Sequence, residues 1–489
     1  MIQKIFTIGC TVAVSLVAGC AMAQNSENSA KAMQQIIPQP IPSGFNFPTP
    51  GAVIEQWASN GNIPKIRAHG WDVSAAMSQP TDQIYRSKRL PVWNTWQSDS
   101  ELFNTKTTVP SRKGEDRILH PFHKAHQHTH LRPNEEPVGD VPISFNKFDP
   151  TAAKFILIKQ AAPDGSGKNY AINAPKGLAA INAAWPKDTA AGTRTIRDFP
   201  ETAIETKPVF LPVLAGKLTA VPIWQGPNQA TNKTNPTPDT WFTCVLVDAT
   251  NSATSKLRAA KPGKIAGATI ATNFNCKTYL YAPIGMYYSV KLDKAGAQGF
   301  TALQGTTTTT GVAVKAGDYA VLTAMHMNTK ELDRWTWQTF YWQGDANHEV
   351  TFPGTLSDSP ASLKAPWNSY AMCTAYDQII SGKRVVCFNP YLETSAGIPD
   401  GINSNCVSCH GMARIGGTMR HPAIRQPIPT TRSSQFQSNS TIHDCSTASP
   451  RLISHGRLPA RAQGRRFLRS KASSLLRKFR VKNARAIMR

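Results

Sequence analysis

The chain has 489 residues, a formal net charge of +24, 40% hydrophobic and 17% charged residues, 36 prolines and 32 glycines. That length is more than one ordinary core can use, which excludes a minimal single-domain protein and leads us to expect two or three domains. A nucleic-acid surface running the length of the chain is excluded too. Thirteen of the 54 basic residues lie between Arg451 and Arg489, and no acidic residue follows Asp444, so the charge is largely a property of the tail.

Residues 1–23 read as a secretory signal peptide. Lys4 is the only charge among the first 25 residues, Ile5 to Ala18 is largely apolar, and Ala21-Met-Ala23 supplies a small-residue end. The span is just long enough for a membrane helix, but that end favours cleavage after Ala23. A competing reading takes Leu16-Val-Ala-Gly-Cys20 as a lipobox, which leaves a lipid on Cys20. In either case the chain leaves the cytosol, so a periplasmic or secreted protein is expected, lipid-anchored in the second reading. Disulfides are then expected. Cys244 with Cys276 and Cys373 with Cys387 are the simplest pairs by proximity, although spacing leaves other pairings open and Cys445 is left over.

Residues 24–150 form a proline-rich arm and then an irregular region. The stretch 24–50 reads as exposed. Gly51 to Ser59 is a helical candidate. A second starts in His69-Gly-Trp-Asp-Val-Ser-Ala-Ala-Met, with Asp72 or Ser74 as cap. Trp93 and Trp96, three apart, read as core residues in preference to an aromatic wall beside a ligand. Five histidines lie between His120 and His130. With no acidic residue among them and no steady period, they read as a polar linker in preference to a metal site.

Residues 151–360 read as β-rich. Lys154-Phe-Ile-Leu-Ile-Lys, Val209-Phe-Leu-Pro-Val-Leu, Val221-Pro-Ile-Trp, Trp241-Phe-Thr-Cys-Val-Leu-Val, Tyr287-Tyr-Ser-Val-Lys-Leu, Gly317 to Met327 and Trp335 to Trp342 are strand candidates separated by Gly, Pro, Asn and Thr turns. The fold class expected is multidomain, with a mostly antiparallel β body, sandwich-like or a distorted barrel. Alternation in the last strand puts Trp335, Trp337, Thr339 and Tyr341 on one face. One face suits the core, and the second suits either contact with the C-terminal segment, as aromatic surfaces do, or ordinary burial on both sides.

That segment, residues 361–432, contains Cys406-Val-Ser-Cys409-His410. This is the Cys-x-x-Cys-His attachment sequence of a c-type haem. Two thiols one turn apart can add to two porphyrin vinyl groups, and the adjoining imidazole can bind iron. Half a zinc site is disfavoured because the chain offers no second ligand pair at short spacing. A thioredoxin-like dithiol is disfavoured because the preceding stretch is turn-rich. The expectation is one covalent haem c per chain on Cys406, Cys409 and His410, with His410 on the metal, in a small α-helical cytochrome c-like segment. Met412 is only two residues on and cannot wrap to the opposite haem face, and Met419 and His421 are close as well, so the sixth-ligand candidates are His443, His455 and Met488, or Met325, His326 and Met327 reaching over from the β body. Residues 433–489 form a basic tail, read as disordered, as a surface for anionic lipid or an acidic redox partner, or as a frameshifted end that leaves the haem segment incomplete.

With His326-Met-Asn-Thr-Lys-Glu, Trp335-Thr-Trp-Gln-Thr-Phe-Tyr-Trp and Cys387-Phe-Asn-Pro-Tyr-Leu-Glu-Thr leading to the motif, the chain resembles bacterial secreted cytochrome c family proteins over about residues 200–420. That resemblance implies haem binding and electron transfer with a redox partner protein. A haem-dependent oxidoreductase or a haem-based sensor is the alternative. No nicotinamide fingerprint, phosphate loop or nucleophile elbow is present, so no familiar enzyme class is indicated. Oligomeric state is not legible.

Overall fold

The structure is a computed structural model. It describes residues 36–102, 143–160, 199–233, 236–261, 270–271, 274, 276–304, 313–394 and 401–410. The chain divides into two units, Met1–Gly456 and Arg457–Arg489, and every described residue belongs to the first. The architecture is largely antiparallel β-sheet with a few short helices. The leader, the His120–His130 run, Cys445 and the basic tail lie outside the described residues. Among the described residues, no helix is long and apolar enough to cross a membrane.

Helices α1 (Gly51–Ser59) and α2 (Ile63–Met77) come first. The hairpin β1 (Pro80–Tyr85) and β2 (Lys88–Pro91) comes next, then β3 (Gln97–Ser98) and the single turn α3 (Asp99–Leu102). Short strands β4 (Ile143–Ser144) and β5 (Lys147–Phe148) precede helix α4 (Pro150–Gln160). Strand β6 (Ile204–Val213) begins the β body, with β7 (Leu218–Pro222), β8 (Thr243–Asp248), β9 (Arg258–Ala260), β10 (Ile270–Ala271), β11 (Thr278–Pro283) and β12 (Ser289–Lys291). After α5 (Lys294–Gln304) come β13 (Tyr319–Thr329), β14 (Thr336–Trp342) and β15 (Tyr370–Thr374). The small hairpin β16 (Ile379–Ile380) and β17 (Lys383–Arg384) leads to α6 (Cys406–His410).

The main sheet runs β15-β14-β13-β6-β5-β3, with β12 also on β13 and β4 also on β6. Its pairs are all antiparallel. It therefore takes strands from both sides of residues 150 and 360. A five-stranded sheet, β10-β7-β8-β11-β9, is mixed: β7 and β8 are antiparallel, whereas β8 and β11 are parallel.

Sequence and structure part company at four places. Lys154-Phe-Ile-Leu-Ile-Lys belongs to helix α4, not a strand. Asp149 caps that helix, accepting from the amides of Thr151 (3.0 Å) and Ala152 (2.9 Å), and Pro150 suits its first position. Its apolar residues Ala152, Ala153, Phe155 and Ile156 are buried with Trp337 and Cys373. Asp72 and Ser74 lie inside α2, which opens earlier, with Asn62 Oδ1 accepting from the Lys65 amide. Residues 36–50 are no free arm: Ile36 and Thr49 are buried, and the Trp96 indole donates to the Gln39 carbonyl at 2.7 Å. Finally, 361–394 supplies β15 and a hairpin instead of helices, because Tyr370–Thr374 completes the edge of the main sheet. Trp93 and Trp96 are core residues, both fully buried.

The two faces of the main sheet differ. One face carries Met325, Met327, Gln338, Phe340 and Met372, and α2 crosses it at Gly70. A Cβ there would sit 3.0 Å from Met372 Sδ and 3.2 Å from Thr374 Cγ2, so glycine sets the approach. On this side Glu331 gathers three donors: the Thr49 amide at 2.6 Å, the Thr329 hydroxyl at 2.5 Å and His69 Nε2 at 3.1 Å. His69 Nδ1 meets the Tyr376 hydroxyl at 2.7 Å. A buried carboxylate needs such partners to offset its lost hydration.

Asp149 gives the fold a pH signature. Its carboxylate also accepts from the Ile204 amide at 2.9 Å. Burial nevertheless lifts its pKa from 3.8 to about 6, against the pull of those amides. The native state then keeps a proton that the unfolded chain has lost. Stability attributable to this group is highest below pH 3.8 and falls as pH rises to about 6. Asp149→Asn, which keeps a capping oxygen, is expected to flatten that part of the profile. Urea midpoints of both proteins between pH 4 and 7 measure it, and an unchanged slope would refute the assignment.

Candidate functional site

The opposite face of the sheet holds the chemistry. Directly paired residues in antiparallel strands point the same way. One row across four strands is therefore Cys373, Thr339, His326 and Lys207. The next is Trp337, Asn328, Glu205 and Phe148. Against this face lie α4 and the segment that carries the Cys-x-x-Cys-His sequence.

That segment is held by its backbone. Cys387 and Asn405 form an isolated parallel bridge, and the Cys387 amide donates to the Ser404 carbonyl at 3.1 Å. Asn405 donates through Nδ2 to the Val385 carbonyl (2.5 Å) and accepts through Oδ1 from the Val407 amide (3.0 Å). It thereby caps α6 while tying it to residues 385–387. Cys406 is the next residue. It is buried, and its thiol donates to the Cys387 carbonyl at 3.5 Å. Cys387 is bonded to Cys373, with Cα atoms 5.7 Å apart, within the usual disulfide range. Cys244 and Cys276 form the second disulfide, at 5.8 Å. Both pairs are those suggested by proximity. The His410 ring lies on the Trp337 indole, with centroids 4.0 Å apart and planes tilted by 31°. The aromatic strand face thus meets the C-terminal segment.

A polar group adjoins this contact. His326 Nε2 meets Glu393 Oε1 at 3.0 Å. Asn328 donates to Glu205 Oε2 at 3.5 Å, and Asn389 donates to the Thr339 hydroxyl at 2.7 Å. Burial holds the Glu205 carboxyl well above its usual pKa, with the Lys207 charge pulling it down. Burial likewise lowers Lys207, against the charges of Glu205, Glu393 and Asp99. Both members of the pair are pushed toward neutrality.

The geometry corrects the cofactor expectation. Among the described residues, no group of three or more His, Cys, Asp or Glu side chains could hold a metal ion. The donors themselves do not fit a haem c. Cys406 turns into an apolar cluster with Ala375, Cys387 and Val407, and its thiol is used on a carbonyl. Haem c, its iron and His410 as metal ligand are therefore not assigned. Nor do the neighbouring candidates gather an axial ligand: Met325 and Met327 face the core, and His326, on the other face, is engaged by Glu393. Met412, Met419, His421, His443, His455 and Met488 lie outside the described residues.

The sequence reading missed Glu205, Lys207, Glu393 and the closeness of Cys406 to Cys387. Glu205 and Lys207 did leave a signal, two charges at period two inside an apolar strand. The approach of 387 to 406 is a tertiary contact without one. Compared with known proteins, the chain matches no family model, no curated protein and no solved structure.

Asn405 is expected to be the pin of this site. Asn405→Ala removes a helix cap, worth about 0.5–2 kcal/mol, together with the bond to Val385. Hydrogen exchange should accelerate at the amides of Ser404 to His410 and stay unchanged in β13. Equal acceleration in both would mean global, not local, loosening.

Proposed function

We propose that this protein is an exported thiol–disulfide redox protein whose working group is the dithiol of Cys406 and Cys409. The observation that carries the reading is the contact of the buried Cys406 thiol with the backbone carbonyl of Cys387, a residue already in a disulfide and in the same apolar cluster. Electron transfer, the role the motif first suggests, is here carried by sulfur.

The chemistry needs little else. A thiolate attacks one sulfur of a substrate disulfide and forms a mixed disulfide. The second thiolate of a Cys-x-x-Cys pair then attacks the first cysteine's sulfur and releases the substrate as a dithiol. Two electrons and two protons pass to the substrate, and the Cys406–Cys409 disulfide remains. His410, next in sequence, supplies an imidazole that can take a thiol proton near neutral pH. Trp337 holds that ring in place. The β body, sandwich-like or barrel-like, would be the rigid support.

Export to a periplasmic or extracellular space rests on the leader sequence and agrees with two disulfides in the β body. The partner would be a disulfide-bearing protein, and the basic tail offers a docking surface for an acidic one. The test uses full-length protein purified from the exported fraction, equilibrated in glutathione buffers and quenched with a mass-tagged maleimide. Cys406 and Cys409 should gain and lose the tag together, with a midpoint between about −120 and −270 mV, the span of catalytic dithiols. If both resist alkylation after full reduction in denaturant, they are blocked by thioethers and the reading falls. It also falls if both stay reduced throughout.

A further inference from the structure

We infer that the Cys373–Cys387 disulfide is the internal redox partner of Cys406, so that the two cysteine pairs form a relay. This rests on the dithiol reading and extends it by naming where the electrons go first.

Three cysteines share one apolar cluster, Cys373 at 2%, Cys387 at 0% and Cys406 at 8% exposure. The backbone bridge between Cys387 and Asn405 places Cys406 one residue beyond the paired position. Two further bonds between residues 385–387 and 404–405 fix that alignment. Cys373 reaches the same spot from β15, its sulfur 3.9 Å from the Phe388 carbonyl. A disulfide kept only for stability has no use for a third cysteine in its cluster, because a thiolate that reaches it is the reagent that opens it. Cys244–Cys276 makes the contrast: its cluster of Leu218, Ala220, Leu246, Phe274 and Tyr281 includes no third cysteine among the described residues.

The exchange balances within the chain. The Cys406 thiolate attacks Cys387 Sγ, the Cys387–Cys373 bond breaks, and its electron pair leaves on Cys373, which takes up a proton. The Cys409 thiolate then attacks Cys406 Sγ, and Cys387 leaves as the second thiol. Two electrons and two protons have moved from Cys406 and Cys409 to Cys373 and Cys387. Chain entropy hardly opposes the first step. The native bond spans 14 residues and the mixed bond spans 19, and closure entropy depends only logarithmically on that number.

The test uses Cys409→Ser in the full-length protein, which keeps both β-body disulfides and stalls the relay halfway. After brief reduction, maleimide quenching and non-reducing peptide mapping, a Cys387–Cys406 crosslink with tagged Cys373 is expected. The double variant C406S/C409S should show neither, and Cys244–Cys276 should stay intact in all samples. If C409S holds only Cys373–Cys387, with Cys406 tagged, the relay is refuted. Should the wild-type dithiol still titrate in glutathione in that case, the proposed function survives without it. If the wild-type dithiol never cycles, both fall.

Discussion

The register of β13 against β6 and β14 is the constraint on which the rest depends. Strand β13 is flanked on both sides along most of its length, so each of its residues is committed to one face. Met325 and Met327 go to the core, whereas His326 and Asn328 go to the side that meets the Cys-x-x-Cys-His segment. A slip of one residue would exchange the two sets and bury imidazole and amide among methionines, at the cost of polar groups in apolar surroundings. The irregularity between Leu322 and Ala324 confines the matter to one half of the strand. There Thr323 is the extra residue, and its hydroxyl is satisfied by the Val209 carbonyl.

The Glu331 network and the cysteine cluster are the two consequences of that register. Glu331 stands just past the end of β13 and joins an N-terminal segment, helix α2 and the strand end through one carboxylate. On the reverse side, the same sheet offers Trp337 to His410 and Cys373 to Cys387. Rigidity on one face and a cysteine cluster on the other come from alternate residues of the same strands, which is why the short helix α6 can be held to a fixed neighbour.

How much of this could be read beforehand depends on range. Strands β6, β8, β13 and β14 announce themselves by β-branched and aromatic runs, and helix α1 by its bounds. Both disulfides accord with simple proximity. Lys154-Phe-Ile-Leu-Ile-Lys misleads because a short apolar run suits a strand or a buried helix equally, and only the Asp149–Pro150 start distinguishes them. The Cys406 motif misleads in another way. Five residues state what sulfur and imidazole can do, but their partners come from residues 373 to 387 and from Trp337. That Cys406 turns inward is decided by the bridge to Asn405, which no local pattern encodes.

The order of the cysteines along the chain has a consequence for assembly. Cys244 pairs with Cys276 and Cys373 with Cys387, each with the next cysteine in sequence. A chain threaded through a membrane N-terminus first would present them in that same order. For such a chain each native bond would close before the following cysteine emerged, so oxidation in step with threading would reach this pairing without an isomerase. Cys406 comes after both pairs, beside a bond already made.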